Sequence, residues 1–394
     1  MTPSEKATLK IAWLSPFPPQ RSGIANYSYW LVKELRDVFD IDLYYDGEAP
    51  CDELQDLFAA QPLSEFEGRR EQYDRVVYHL GNNSEFHTEI YKTAWNFPGT
   101  VVLHDYDLSG FMREAFLRSN PDLYFQATAN GSPGPGGQRI TALVHRLVPT
   151  GRSDPMSHAI VSRSEKAIVH RRWVKKQFDD DRHIEVIPLF AKLDCVVTDE
   201  DIRSFRRRAG LKDDHFVLVC LGFVNPNKLP HLQIDVVKRL RKDGYPVQLI
   251  FAGEPAPELK DLVTAVATGE LREDVIFTGY QSEQNYFTAI AAADVIINLR
   301  NPSMGEGSLT LMHALAAGKP TIVSDANQYR EFPDKVCWKL VHDQNENELL
   351  FEYLRTLLSE PAVRAAMSAN ASEYVKNVLA MDKIRAHWIR ALET

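Results

Sequence analysis

Cysteine is scarce in this chain. Four residues in 394, Cys51, Cys195, Cys220 and Cys337, stand far apart with no C-x-x-C pair. That spacing gives no support to a zinc site or a disulfide framework, and it reads as buried thiols in a reducing compartment. Long apolar runs are missing too: FVLVCLGFV, the longest, is about half of what a bilayer span requires. The first ten residues, MTPSEKATLK, are polar. A soluble, cytoplasmic protein is the expectation. Positive charge is short, with 45 Lys and Arg against 54 Asp and Glu for a net −9, which excludes a nucleic-acid scaffold because phosphate neutralisation needs a net basic face. There is no repeat at a period of 20 to 50 residues and no G-x-x-x-x-G-K-[ST] loop for a nucleoside triphosphate. No H-x-x-x-H pair or second carboxylate cluster completes a metal site, and none is expected.

What the chain does have is rhythm. Short apolar runs, KIAWLS, DIDLYY, RVVYHLG, TVVLHD, AIVH and IEVIPL, then FVLVCLG, VQLIFAG, DVIFTG, DVIINL and PTIVSD, alternate with longer helical patterns. Near-continuous apolar strands separated by helices imply parallel sheets covered on both faces. The fold class is α/β, and the length allows two domains. The series restarts near residue 215, after the charged segment TDEDIRSFRRRAGLKDDH. A first domain over 1–200, a second over 201–375 and a closing helix over 376–394 are therefore expected. NGSPGPGG at 130–137 reads as a surface loop. The last segment, DKIRAHWIRALET, carries Ile384, Trp388, Ile389 and Leu392 on one apolar stripe, so it must dock on something already folded.

Parallel open sheets bind ligands beyond the carboxyl ends of their strands, so chemistry is sought there. The first strand end leads into Ser22-Gly23-Ile24 and a helix. Gly23 would let backbone N–H groups approach a phosphate or sugar, while Ser22 serves equally as an ordinary N-cap. Asn82 and Asn83 follow the third run and suit polyol recognition or a turn. His104, Asp105 and Asp107 leave the fourth, where a histidine is either a hydrogen-bonded wall residue or a sugar contact. In the second half, Lys228 sits at a helix entry as a compact cation for a diphosphate. Arg300 ends a strand, Glu306 lies between two glycines, Ser308 and Leu309 open a helix, and His313 lies within it. Arg300, Lys228 and the helix-start peptide groups together attract an anion, leaving Glu306 to accept hydrogen bonds from hydroxyls beside it. RSEKAIVHRRWVKKQF, with Trp173 and Phe178, reads either as a patch resting on an anionic membrane surface or as a solvated helix.

Taken together these segments resemble the retaining glycosyltransferases of family 4, over nearly the whole length. SPFPPQRSGIANYS is similar to that family's amino-terminal donor loop, VVLHD to its cleft histidine, GFVNPNKLP to its diphosphate loop, and NPSMGEGSLTLMHALAAGKPTIVSD to its Glu-seven residues-Glu segment. The resemblance implies a GT-B architecture, two Rossmann-like domains facing a cleft, and hexosyl transfer from a nucleoside diphosphate sugar to a glycan or lipid-linked glycan acceptor. No cofactor or metal is implied. Carried over, Lys228 binds the diphosphate, Gly23 and Ile24 flank it, His104 touches the sugar and Glu306 holds its hydroxyls. The chain departs from the pattern at Phe223, where the family has Arg, and at His313, where the second Glu grips the ribose. Glu306 is also one position out of register. A sugar-nucleotide epimerase and a catalytically silent binding protein are the rival readings.

Overall fold

The computed structural model describes residues 8–128, 155–193 and 195–394, so the Gly- and Pro-rich stretch 130–137 lies outside the described residues. The chain divides into two compact units. The first comprises residues up to Pro188 together with Met304–Gly307 and Ile384–Thr394; the second comprises Leu189–Ser303 and Ser308–Lys383.

The first unit is built on a seven-stranded sheet of order β3-β2-β1-β4-β5-β6-β7. Its strands are β1 (Lys10–Leu14), β2 (Asp40–Tyr45), β3 (Ala59–Pro62), β4 (Arg75–Leu80), β5 (Thr100–Leu103), β6 (Lys166–Val169) and β7 (Ile184–Val186). Every pair is parallel, with Leu14 opposite Tyr78 and Leu103 opposite Val169. The second unit carries a six-stranded sheet, β10-β9-β8-β11-β12-β13. These strands are β8 (Phe216–Leu221), β9 (Val247–Ala252), β10 (Val275–Phe277), β11 (Val295–Asn298), β12 (Thr321–Ser324) and β13 (Trp338–Leu340), again all parallel. Central strands such as β5, β9 and β11 are buried along their full length, as helix-covered parallel strands must be. Strand order reverses between β1 and β4 in one sheet and between β8 and β11 in the other, and those two places are where such sheets open a ligand crevice.

All eleven expected strands form. Two more, β3 and β13, were not anticipated. Both are short edge strands, AAQP and WKL, half exposed and without the β-branched run that marks a buried strand.

The closing helix, Met381–Glu393, buries Ile384, Trp388, Ala391 and Leu392, with Ile389 only half covered. Trp388 packs 5.4 Å from the Trp13 ring and donates from Nε1 to the Tyr27 hydroxyl at 3.2 Å. Arg385 pins the same helix, reaching both Asp37 carboxylate oxygens at 2.6 and 2.7 Å. Trp173 and Phe178 pack onto Tyr106, at ring distances of 5.4 and 5.9 Å, and both stay partly exposed. Among the described residues no helix is long and apolar enough to cross a membrane.

Candidate active site

In the second unit, β8 delivers the chain into Gly222, whose φ of +75° favours glycine. The neighbouring turn after β9 comes so near that a Cβ on Gly253 would lie 2.2 Å from the Gly222 carbonyl oxygen. The same loop leads to Lys228, which is 3% exposed and donates from Nζ to the Leu221 carbonyl. A Cβ on Gly222 would stand 3.4 Å from both Lys228 Nζ and the Thr310 methyl, so the ammonium and the first turn of the helix Leu309–Ala316 both border Gly222. Burial first, then the positive charge of Arg300, pushes Lys228 down to about 7. An ammonium this poorly solvated is stabilised by an arriving anion.

Arg300 leaves β11 beside it. Its backbone N–H donates to Ser324 Oγ at 2.7 Å, and that hydroxyl also meets His342 Nε2 at 2.7 Å. Asn301 N–H bonds the Asn227 carbonyl at 2.8 Å, tying the loop after β11 to the one that carries Lys228. Ser308 caps the helix, accepting from Leu311 N–H at 3.2 Å. Asn298, the last residue of β11, accepts from Thr310 Oγ1 at 3.0 Å while its own Nδ2 is buried without a partner. Farther along the helix, His313 Nδ1 lies 3.0 Å from the Tyr286 hydroxyl, and burial lowers its pKa to about 4, so the ring is neutral. Phe223 is 55% exposed on the same strand-end edge.

Glu306 lies in the turn ahead of the helix, not inside it. Its Oε2 accepts from Met304 N–H at 2.8 Å. Gly307 N–H donates to the His104 carbonyl at 3.0 Å, and Asp107 N–H to the Met304 carbonyl at 2.9 Å, so Met304–Gly307 rests on the loop after β5. Gly305 (φ +71°) has no room for a side chain, since a Cβ would come within 2.6 Å of the Tyr106 Cβ. Asp105 sits beside this turn and accepts from Asn82 N–H at 2.9 Å. Burial and then the Glu306 charge raise it to about 7. A Cβ on Gly81 would strike Ile24 Cδ1 at 2.5 Å and approach the Asp105 carboxylate at 3.1 Å. Ile24, Gly81, Asn82 and Asp105 are thereby gathered at the β1/β4 reversal. A groove of about 350 Å³ opens next to them, lined by Asn82, Asp107, Phe111, Arg113 and Met304 among others. Gly23 is exposed and a Cβ there would meet nothing within 4 Å; Ser22 caps the helix by accepting from Ile24 N–H at 3.2 Å.

His104 is placed differently from a residue with a nitrogen to spare for a sugar. Its Nε2 lies 2.9 Å from His79 Nδ1 and its Nδ1 lies 3.1 Å from His170 Nε2. His170 Nδ1 is 2.9 Å from the Ile187 carbonyl, which can only accept, so the proton positions follow along the row and leave His79 Nε2 as the unprotonated nitrogen. That atom is buried and unpartnered. The row had a visible signal in single histidines interrupting the apolar runs RVVYHLG and AIVH. Asn298, a polar residue within the apolar run DVIINL, gave a similar one.

Burial holds His79, His87, His104 and His170 well below the ordinary histidine value, with His87 and His170 at about 4. Unfolding releases them to about 6.5, so the unfolded chain binds more protons between roughly pH 4 and 6.5 and stability falls as pH drops through that window. Asp105, raised in the folded protein, works in the opposite sense and subtracts one proton. Urea unfolding at pH 7 and pH 5 should show a net loss toward acid of about 1.4 kcal/mol per pH unit for each net proton; a flat profile contradicts the buried neutral row.

Two doubly wound parallel sheets, each with its polar cluster at the strand-order reversal, are the components of the GT-B fold. Residues 201–374 match the profile of the family described as glycosyl transferases group 1. No curated protein sequence matches the chain. Among solved structures it is similar to Alr3699/HepE of Anabaena in complex with UDP-glucose, at 17% identity over 98% of this chain and 99% of that one with a TM-score of 0.69. It is also similar to sucrose-phosphate synthase (tll1590) of Thermosynechococcus elongatus, at 15% identity, 98% of each chain and a TM-score of 0.67. A putative UDP-N-acetylglucosamine 2-epimerase of Listeria monocytogenes shares the fold as well, at 11% identity over 98% and 96% of the chains with a TM-score of 0.58. At these identities the likeness is one of fold.

Proposed function

We propose that the protein is a sugar-nucleotide-dependent glycosyltransferase that moves a hexosyl group, with retention of anomeric configuration, to a glycan or lipid-linked glycan acceptor. The observation that carries this reading is the buried Lys228 ammonium, which feels the charge of Arg300 and borders Gly222 together with the first turn of the helix Leu309–Ala316. Two cations and a helix N-terminus in one place suit a diphosphate that gains charge as it leaves. The match of this half of the chain to glycosyl transferases group 1 supports it. Glu306, two residues ahead of the Ser308 cap, accepts hydrogen bonds from sugar hydroxyls, and the acceptor hydroxyl attacks the anomeric carbon on the face from which the diphosphate departs. UDP in the HepE structures makes a UDP-sugar the first donor to try.

Asp105, poised near neutrality beside Glu306, also suits the acid/base work of an epimerase. Incubation with a panel of UDP-sugars and glycan acceptors separates the readings. Transfer releases UDP and adds a hexose mass to the acceptor; epimerisation leaves the UDP-sugar mass unchanged with no UDP released. A protein that does neither, while binding UDP, is a silent binder.

Because Lys228, Arg300 and helix-end amides meet the diphosphate charge, transfer should persist in excess chelator. A complete loss, restored by magnesium or manganese, contradicts this. His313→Ala should weaken nucleoside diphosphate binding roughly two- to tenfold, the ~0.5–1.5 kcal/mol of one hydrogen bond, and spare the sugar step. Calorimetry with UDP checks it, and unchanged affinity assigns His313 to packing against Tyr286 and Phe287.

A further inference from the structure

A second groove in the second unit, of about 520 Å³, lies at the open edge of its sheet and is lined by Asp325, Arg330, Asp334, Trp338, Lys339 and Tyr353. Nothing in the transfer reading uses it. We propose that this groove binds an uncharged oligosaccharide. The Trp338 and Tyr353 rings stand 5.0 Å apart at 48°, presenting aromatic surface whose negative faces attract the slightly positive C–H faces of pyranose rings. Around them the charges cancel in pairs. Arg330 Nε donates to Asp325 Oδ1 at 2.8 Å, and Lys339 pairs with Asp334.

The pairing decides the ligand class. With two carboxylates against two cations there is no excess positive charge to hold a phosphate or a sulfated chain. The four charged rim groups are too polar for a lipid tail. What remains is a ligand with an apolar ring face and hydroxyls that both donate and accept. The carboxylates accept from such hydroxyls, and the guanidinium donates to them. Tyr353 is held in place, its hydroxyl donating to the Lys339 carbonyl at 3.2 Å, so the platform is formed before a ligand arrives. The volume lies within the ~300–1,000 Å³ of small-molecule sites. A polymer held here while its end is extended elsewhere gains effective concentration through the tether, but binding itself does not depend on the transfer reading.

The test is calorimetric titration of the full chain with maltohexaose, cellohexaose and mannohexaose, with a heparin hexasaccharide as anionic control, on the parent, Trp338→Ala and Asp334→Ala. At least one neutral hexasaccharide should bind. Trp338→Ala should weaken it tenfold or more and Asp334→Ala severalfold, both with UDP affinity unchanged. If Trp338→Ala fails to fold, Asp334→Ala decides alone, since that side chain is 93% exposed and its removal leaves the core intact. The proposal is overturned if no neutral hexasaccharide binds, if binding is the same in the variants that fold, or if heparin binds more tightly than the neutral sugars and loses affinity in the same variants.

Discussion

Lys228→Ala should lower turnover by a hundredfold or more, the ~2.7 kcal/mol or greater that one charge-assisted contact to a developing anion supplies in a water-excluded site. The size of the effect rests on burial. An exposed lysine shares its task with water, whereas this ammonium is buried, donates to the Leu221 carbonyl and borders Gly222. Enclosure also makes the contribution pH-dependent. With the site empty, Lys228 loses its proton near pH 7; a bound diphosphate stabilises the protonated form, so binding takes up a proton and affinity falls as pH rises above 7. The alanine variant should lose that slope along with the rate. Its melting temperature should hardly move, because the truncation removes a desolvated charge as well as its packing. A near-normal rate, or a loss that tracks a lowered melting temperature, contradicts the assignment.

Glu306→Gln should abolish measurable transfer, a fall of at least ~10²–10³, yet leave affinity for bare UDP nearly intact. The carboxylate stands in a turn fixed on both sides, by Gly307 N–H on the His104 carbonyl and by the Met304 carbonyl on Asp107 N–H. Replacing it by an amide keeps the shape and removes the charge. Within a regular helix the one-residue displacement of this glutamate would rotate it by ~100°, but ahead of the helix the Gly305 backbone sets its direction instead. Calorimetry with UDP and a transfer assay on the same preparation separate the two effects. Equal loss of UDP affinity and of transfer would place Glu306 at the nucleotide and not the sugar.

The layout of this protein was largely written in its apolar periodicity. FVLVCLG and DVIINL announce buried parallel strands because burial on both faces demands continuous apolar residues. AAQP and WKL could not announce theirs, since an edge strand is held by a neighbour's hydrogen bonds and not by its own side chains. The candidate site was legible where a residue type is unusual for its place, as with Lys228 and Glu306, whose positions at strand exits follow from the strands. It was not legible where function depends on which nitrogen is already taken. Nothing local in VVLHD reveals that both His104 nitrogens meet histidines of β4 and of the residue after β6. Such partners come from sheet register, which pairs segments 25 and 66 residues apart.

The first unit is finished by a helix from the far end of the sequence, with Trp388 seated on Trp13 and Tyr27. On the ribosome, residues up to Pro188 emerge first and must wait while Leu189–Lys383 are made, about 10–40 s at ordinary synthesis rates. Through that interval Trp13 and Tyr27 lack the cover that Trp388 later provides. The usual order, in which an amino-terminal domain completes itself before the next begins, is therefore reversed: the second unit has all its residues before the first does. A nascent chain carries an unfinished apolar face while Leu189–Lys383 are made, and that period is when chaperones have something to bind.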